Sequence, residues 1–455
     1  MNHERDEALT PAAAGAGSSG ASSAAASPLD AALAKAEFRL VPFLFLCNIL
    51  CFIDRTNIGI AKLQMAADIG LGDVAYGVAA TIFFVGYILF EIPSNLMFVR
   101  IGVRKTILRI MLLWGITSAA SMSVSTPGQF AVARFLLGVF EAGYFPAVAL
   151  YLTYWFPSRR RARIMSLFFT SVVVSNIIGS PFSGWLLTHM DGVFGWRGWQ
   201  WMFLIEGLPS TLAGIVAYFY LDERPTDARW LSAEEKRLIA NAVEEEHRTS
   251  QVARSGSFGE ALRDRRVFVL CFCLFTSVSG GYALSLWGPT LIHSAGINDT
   301  FTIGLYAALP NIVGLVSMIV VGYHSDAVRE RRWHYSICSI IGAAGLVLGA
   351  AAATTVNVPL AMFGMSVAVG GLISALPVFW AIPPRILTPA AAAGALALIN
   401  SAGVLGGVLA PLAVGIIKAH TQSPWSGFYL IAAFVVVGAL AIPFGISRDD
   451  LRETA

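Results

Sequence analysis

Apolar residues in this chain come in long unbroken runs, near 38–58, 76–98, 106–124, 130–155, 164–187 and 201–221, then near 267–291, 302–323, 335–353, 358–381, 394–417 and 428–446. A hydrocarbon core ~30 Å thick is crossed by about 20 residues of helix, so each run predicts one membrane-spanning helix. Transmembrane strands are about 10 residues long and alternate in polarity, whereas these runs are longer and apolar on all sides. The pattern predicts an all-α membrane protein of twelve transmembrane helices in two six-helix bundles, 38–221 and 267–446.

The polar stretches define the rest of the organisation. Residues 1–37 are mainly Ala, Gly and Ser with scattered charges. They are too poor in large apolar groups to fold and lack the apolar core of a secretory signal, so they read as a disordered tail, with 447–455 as a second tail. The 222–266 linker is dense in both acids and bases and cannot enter lipid. Within it Ser232 and Glu235 have capping-box spacing. Leu238, Ile239, Ala242 and Val243 then give one apolar face, predicting a helix laid against the inner helix ends. Ser257 and Glu260 repeat that start signal before the seventh span; the remaining charge run reads as a solvated tether. Lys and Arg crowd the side shared by the termini and the linker, leaving Lys62, Arg197 and Lys418 on the other. Cytoplasmic flanks carry excess basic residues, so both termini are expected in the cytoplasm and the protein in the cell inner (plasma) membrane.

The halves look like repeats. NLMFVRIGVRK (95–105) and GYHSDAVRERR (322–332) place a basic cluster after the second helix of each half, and GSPFSG (179–184) matches GGVLAPLAVG (406–415) by position. Gly and Pro in paired helices allow the close packing and bending that a rocking pair of bundles requires.

Composition narrows the function classes. Hydrophobic residues are 56% of the chain and charged residues 13%, where a soluble domain has about a quarter charged. A water-soluble enzyme is excluded. Basic and acidic residues nearly balance, at a net charge of +3, which argues against a nucleic-acid partner. Cys47, Cys51, Cys271, Cys273 and Cys338 all lie in apolar runs as small core residues, and no zinc-type spacing occurs. No metal and no cofactor is expected. No nucleophile–base pair sits at a helix end, so no enzyme is expected either.

Four ionisable residues interrupt the apolar runs: Asp54, Arg55, Arg134 and Glu141. Each charge at mid-membrane costs about 2.5–3.5 kcal/mol on insertion scales, so the four are tolerable only in a wet interior where they neutralise one another. Arg134 and Glu141 are seven residues apart, within ~20° of two full turns, and project from one helix face about 10 Å apart. Asp54 and Arg55 are adjacent, about 100° apart, so one points down the cavity while the other engages a neighbouring helix. Guanidinium is permanently charged and forks onto carboxylates, which points to anion capture, while the acids are the switchable part. The expectation is that protonating Glu141 frees Arg134 for a substrate carboxylate. Glu91 and Glu206 lie nearer the interfaces and read as gate or packing residues. Tyr87, Tyr282, Trp287, Trp380 and Asn400 are candidates for a pocket wall, although membrane aromatics are commonly structural.

FIDRTNIGIAKLQM (52–65), FFVGYILFEIPSNL (83–96), RFLLGVFEAGYFPAVALYLTYWFP (134–157) and FWAIPPRIL (379–387) resemble the major facilitator superfamily, specifically its anion:cation symporter family, across nearly all of 38–446. The resemblance is to tartrate, phthalate and hydroxyphenylacetate carriers, with sugar-acid carriers a step further. It implies that Asp54 and Glu141 are proton-coupling acids, and that Arg55, Arg134, Tyr87, Trp380 and Asn400 bind substrate, with Tyr282 beside them. Two departures stand out. The family's Gly-x-x-x-Asp-Arg loop motif has Asn95 and Val99 in the first half, and Ala327 for Arg after Gly322 and Asp326 in the second. Val172 stands where sugar-acid carriers place a polar side chain, which favours an aromatic or short dicarboxylic acid.

The expected activity is proton-coupled uptake of a small organic anion by a monomer, with the proton gradient as energy source and the lipid bilayer as surroundings. An exchanger or exporter is the alternative within transport, although Ser180 precedes Pro181 where exporters carry Gly-Pro. A nutrient sensor with a transporter fold is the alternative outside it; it would bind without flux.

Overall fold

The computed structural model describes residues 27–252, 264–386, 389–421, 423 and 425–447. Twelve of its helices are long and apolar enough to cross a membrane. We number helices in chain order. The first half holds α1 (Pro28–Thr56), α2 (Ile58–Ile69), α3 (Asp73–Ile101), α4 (Val103–Ala120), α5 (Pro127–Glu141), α6 (Tyr144–Trp155), α7 (Ser158–His189) and α8 (Gly198–Tyr220). The linker contributes α9 (Ala233–Val252). The second half holds α10 (Arg265–Ser294), α11 (Thr300–Val328), α12 (Arg332–Thr354), α13 (Val358–Trp380), the short α14 (Pro383–Ile386), α15 (Pro389–Thr421) and α16 (Ser426–Gly445).

Two spans are broken, the fourth of them for a clear local reason. The first span bends at Asn57, between α1 and α2. The fourth span breaks between Glu141 and Tyr144, where Gly143 sits at φ +86° in the left-handed region that L side chains avoid. A Cβ at Gly143 would also meet Ser94 Oγ at 2.5 Å. Asp54, Arg55 and Glu141 therefore sit in last turns of half-helices rather than mid-helix.

Helix α1 starts at Pro28, earlier than the run of large apolar residues suggests. Ser27 accepts from the Asp30 amide, Pro28 occupies the first turn, and Ala32, Leu33 and Ala36 are buried. Small alanines carry that burial, so the hydrophobic run alone does not reveal it. In the linker, the Ser232 amide donates to Glu235 Oε2 (2.7 Å) and the Glu235 amide to Ser232 Oγ (3.1 Å), closing the capping box. Ile239 and Val243 are buried with the first-half core. Lys35 of α1 pairs with Glu235 at 3.0 Å, and the Ser232 amide holds the Glu235 carboxyl below its usual range. The Ser257–Glu260 signal lies outside the described residues.

Among the described residues, the main packing between the two halves lies at the end of their long axis away from the linker. There α3 packs on α15, α7 on α11 and α2 on α10. One buried cluster crosses the seam, containing Ile58, Tyr76 and Trp199 from the first half and Trp287, Leu291 and Val414 from the second. The remaining two clusters sit nearer the linker, one built mainly from each half. The matched Gly/Pro segments lie on this seam: Gly184 abuts the Thr300 carbonyl, and Gly77 abuts Pro411. In the second half's loop motif, Arg331 supplies the missing cation, pairing with Asp326.

Candidate functional site

Near the middle of the spans, between the halves, lies a cavity of about 210 Å³. Its first-half wall is Phe52, Thr56, Ile60, Val172, Asn176 and Ser180. Its second-half wall is mostly apolar, including Val278, Leu284, Met365, Val369 and Leu372, with Tyr282, Ser277, Ser285 and Asn311 as the polar exceptions.

Arg55, in the last turn of α1, adjoins this cavity through Tyr282, which lines it. Its guanidinium forms an ion pair with Glu141 and donates to Tyr282 Oη at 3.1 Å, so one side chain touches both halves. Phe52, Phe83 and Tyr87 surround the cation with ring centroids at 4.8, 5.3 and 5.4 Å. The Arg55 side chain is 12% exposed and Glu141 2%. Cys51, one turn before Arg55, donates its thiol to Glu141 Oε1 at 3.1 Å. A carboxylate at a helix C-terminus faces the negative end of the helix dipole, so Glu141 is held by the cation and the thiol rather than by its own helix.

Asp54 points the other way, into the first-half bundle. It accepts from Trp114 Nε1 (2.7 Å), Ser118 Oγ (2.6 Å) and Ser210 Oγ (3.0 Å), donors carried by α4 and α8. Arg134 is also enclosed. Its Nη1 contacts the Asp54 carbonyl at 3.5 Å, the guanidinium lies 4.7 Å from the Phe83 ring, and Nε is buried without a hydrogen-bond partner among the described residues. Arg134 and Glu141 do share one face of α5, but the ion pair of Glu141 is with Arg55. The helix break at Glu141 places its carboxylate against α1, which helix spacing alone does not foresee.

Of the other expected residues, Tyr282 lines the cavity and Tyr87 is buried under Arg55. Trp380 ends α13, with its ring edge-on to Phe379 at 5.5 Å on the linker side of the second half. Asn400 is exposed on α15. Glu206 is a buried tie: Asn57 Nδ2 donates to it at 2.8 Å and Ser183 Oγ at 2.6 Å, linking the α1–α2 bend to α7 and α8. Sequence reasoning passed over Asn176 and Asn311, whose one available signal was an amide inside an apolar run. It also left Lys62 in an outer loop, whereas Lys62 is 6% exposed within α2. Among the described residues no group of three or more His, Cys, Asp or Glu is placed to hold a metal ion.

Comparison with known proteins follows this geometry. The family model described as Major Facilitator Superfamily matches residues 44–411. A protein of Agrobacterium vitis named for tartrate transport is 40% identical over 408 residues, 90% of each chain. The Quinolone resistance transporter of Acinetobacter baumannii is 36% identical over 418 residues, 92% of this chain and 95% of that one. Among solved structures, a bacterial homologue of the human lysosomal transporter Spinster superposes with a TM-score of 0.71 at 16% identity, covering 91% of this chain and 98% of the other.

Proposed function

This chain belongs to the Major Facilitator Superfamily and is a multi-pass membrane transporter, and from that premise we propose that it takes up a small organic anion together with protons, as an anion:cation symporter. The observation that carries the proposal is the Arg55–Glu141 pair, joined through Arg55 to the cavity-lining Tyr282. Glu141 and a substrate carboxylate compete for one guanidinium. Protonating Glu141 neutralises its carboxylate and frees Arg55 to bind the anion. Deprotonation on the other side of the membrane restores the pair and expels the anion, so proton and cargo move together. Asp54 is the second proton-coupling acid in this scheme, acting through the α1–α2 bend without touching cargo. Arg134 sets the local potential beneath it, and Tyr87, Trp380 and Asn400 complete the path of the anion.

The cavity supports an aromatic or otherwise apolar carboxylate over a heavily hydroxylated one. One guanidinium adjoins it through Tyr282, aromatic rings flank that cation, and Val172 lines it where a hydroxyl-binding residue would be needed. Kinship to a protein named for tartrate keeps short hydroxy and dicarboxylic acids in the test set. Taking the linker end as cytoplasmic from its basic residues, we read the seam as the closed outer side and the structure as the inward-facing state of an inner-membrane carrier.

The test is uptake into proteoliposomes. Labelled hydroxyphenylacetate, phthalate and tartrate are offered with an imposed inward proton gradient and with an uncoupler. Gradient-driven accumulation of an aromatic acid, abolished by the uncoupler, is the expected result. Binding without flux would make the protein a sensor, and flux only against an outward gradient of cargo would make it an exchanger or exporter.

A further inference from the structure

The closed end of the seam is held by an unbalanced charge cluster. Lys62 Nζ and Lys418 Nζ both bond Asp73 Oδ1, at 2.7 and 2.9 Å. Two ammonium groups thus share one carboxylate oxygen, leaving one positive charge over. Among the described residues, Asp73 is the carboxylate paired with either lysine. The surplus rests against aromatic faces: Lys62 lies 3.7 Å from the Trp287 ring and 4.4 Å from Tyr76, and Lys418 lies 5.4 Å from Trp287. Ring faces stabilise a cation but do not neutralise it.

The cluster is divided between the halves in a particular way. Lys62, Asp73 and Tyr76 belong to α2 and α3, joined by a short connection, and Lys418 and Trp287 belong to α15 and α10. Trp287 Nε1 donates to the Pro411 carbonyl at 3.2 Å, which ties the indole to the helix that carries Lys418. When the halves part at this end, Asp73 leaves with Lys62. Lys418 then keeps its indole neighbour and loses its counter-charge.

We infer that Lys418 and Trp287 form a second anion-binding subsite at the mouth opposite the linker, and that Asp73 is the built-in carboxylate that plugs it whenever the mouth is closed. The inference rests on the reading of the cargo as a carboxylate. An ammonium beside an indole face complements an aromatic monocarboxylate, pairing charge with charge and ring with ring. Closure and capture compete for the same ammonium group, so the mouth can shut only after the anion has left Lys418 for the deeper Arg55. The plug thereby orders the two steps.

The experiment uses the full-length protein in proteoliposomes. Thr81 lies on the seam below the plug, donating to the Val408 carbonyl. Thr81→Cys is therefore a reporter, read by labelling with a membrane-impermeant maleimide from the outer side, with the parent's own labelling subtracted. Asp73→Asn is expected to raise the labelling rate about tenfold. Benzoate is expected to raise it several-fold in the parent, and benzamide, its uncharged counterpart, to leave it unchanged. Lys418→Gln is expected to abolish the benzoate response. The double change Asp73→Lys with Lys418→Asp re-pairs the seam with reversed signs; it should label slowly and ignore benzoate. The response should persist in Arg55→Gln, which cripples the central site. Loss of the response in Arg55→Gln, or its survival in Lys418→Gln, would assign it to the central cavity and overturn the subsite. Parent-like labelling in Asp73→Asn would overturn the plug. Both results leave the uptake reading standing, since that is judged separately by gradient-driven flux.

Discussion

Replacing Glu141 by Gln removes the charge that neutralises Arg55 while keeping the shape of the side chain. Both partners are shielded from water, with Glu141 2% and Arg55 12% exposed. Breaking one side of a buried pair costs about 3–5 kcal/mol. Gln keeps a carbonyl acceptor for the guanidinium, and a hydrogen bond to a charged group contributes about 1.5–3 kcal/mol. The difference, about 1–3 kcal/mol, is the hold that an arriving carboxylate no longer has to displace, and it corresponds to about 5–150-fold tighter binding of the anion. The pH response changes as well. Under the proposed competition for Arg55, binding an anion in the parent is linked to binding one proton at Glu141. Affinity therefore rises about tenfold for each unit that pH falls while Glu141 is ionised and the cargo stays an anion. In Glu141→Gln that slope is zero. The assay is equilibrium binding of a labelled carboxylate to purified protein across mildly acidic to mildly alkaline pH. A Gln variant that keeps the parental slope, or that binds more weakly at every pH, would refute the competition between Glu141 and cargo for Arg55. The same variant should exchange anion for anion across the membrane but fail to accumulate it on a proton gradient.

Asp54→Asn should act first on stability. Its amide would keep one acceptor oxygen and turn its N–H group either toward Ser118 or toward Trp114 and Ser210, which donate to Asp54 in the parent, at a cost of about 1–3 kcal/mol; thermal unfolding in detergent reads the loss, and tenfold weaker anion binding at parental stability would contradict the geometry. Gly138→Ala should lower the unfolding midpoint, because its Cβ would strike the Phe83 carbonyl at the α3–α5 crossing and overpacking costs about 1–3 kcal/mol. Gly281→Ala, which borders the cavity with nothing within 4 Å of the added carbon, should leave that midpoint unchanged; equal effects would mean the crossing is not tight. Val172→Asn, one turn from Asn176 on the cavity wall, should shift competition uptake toward hydroxylated acids by about tenfold, and an unaltered ranking would remove Val172 from the specificity wall.

Some of this was legible in the chain itself because it depends only on local composition. Twelve apolar runs each come close to or exceed the ~20 residues a bilayer requires, and no soluble packing explains them, so span number and the two-bundle plan follow from residue order. The cost of charge in lipid likewise singled out Asp54, Arg55, Arg134 and Glu141, since each must be compensated somewhere. Helical spacing could also tell that Asp54 and Arg55 diverge. It could not tell which faces the cavity, because that depends on how α1 rotates against α4 and α8, and their Trp and Ser donors claimed Asp54. Nor could spacing pair Glu141 with Arg55, since the break at Gly143 swings the end of α5 onto α1. Lys62 and Lys418 looked like ordinary outer-side charges for the same reason. Lys418 meets Asp73 across the seam, 345 residues away in sequence, and only the closure of one half upon the other brings two ammonium groups to one carboxylate.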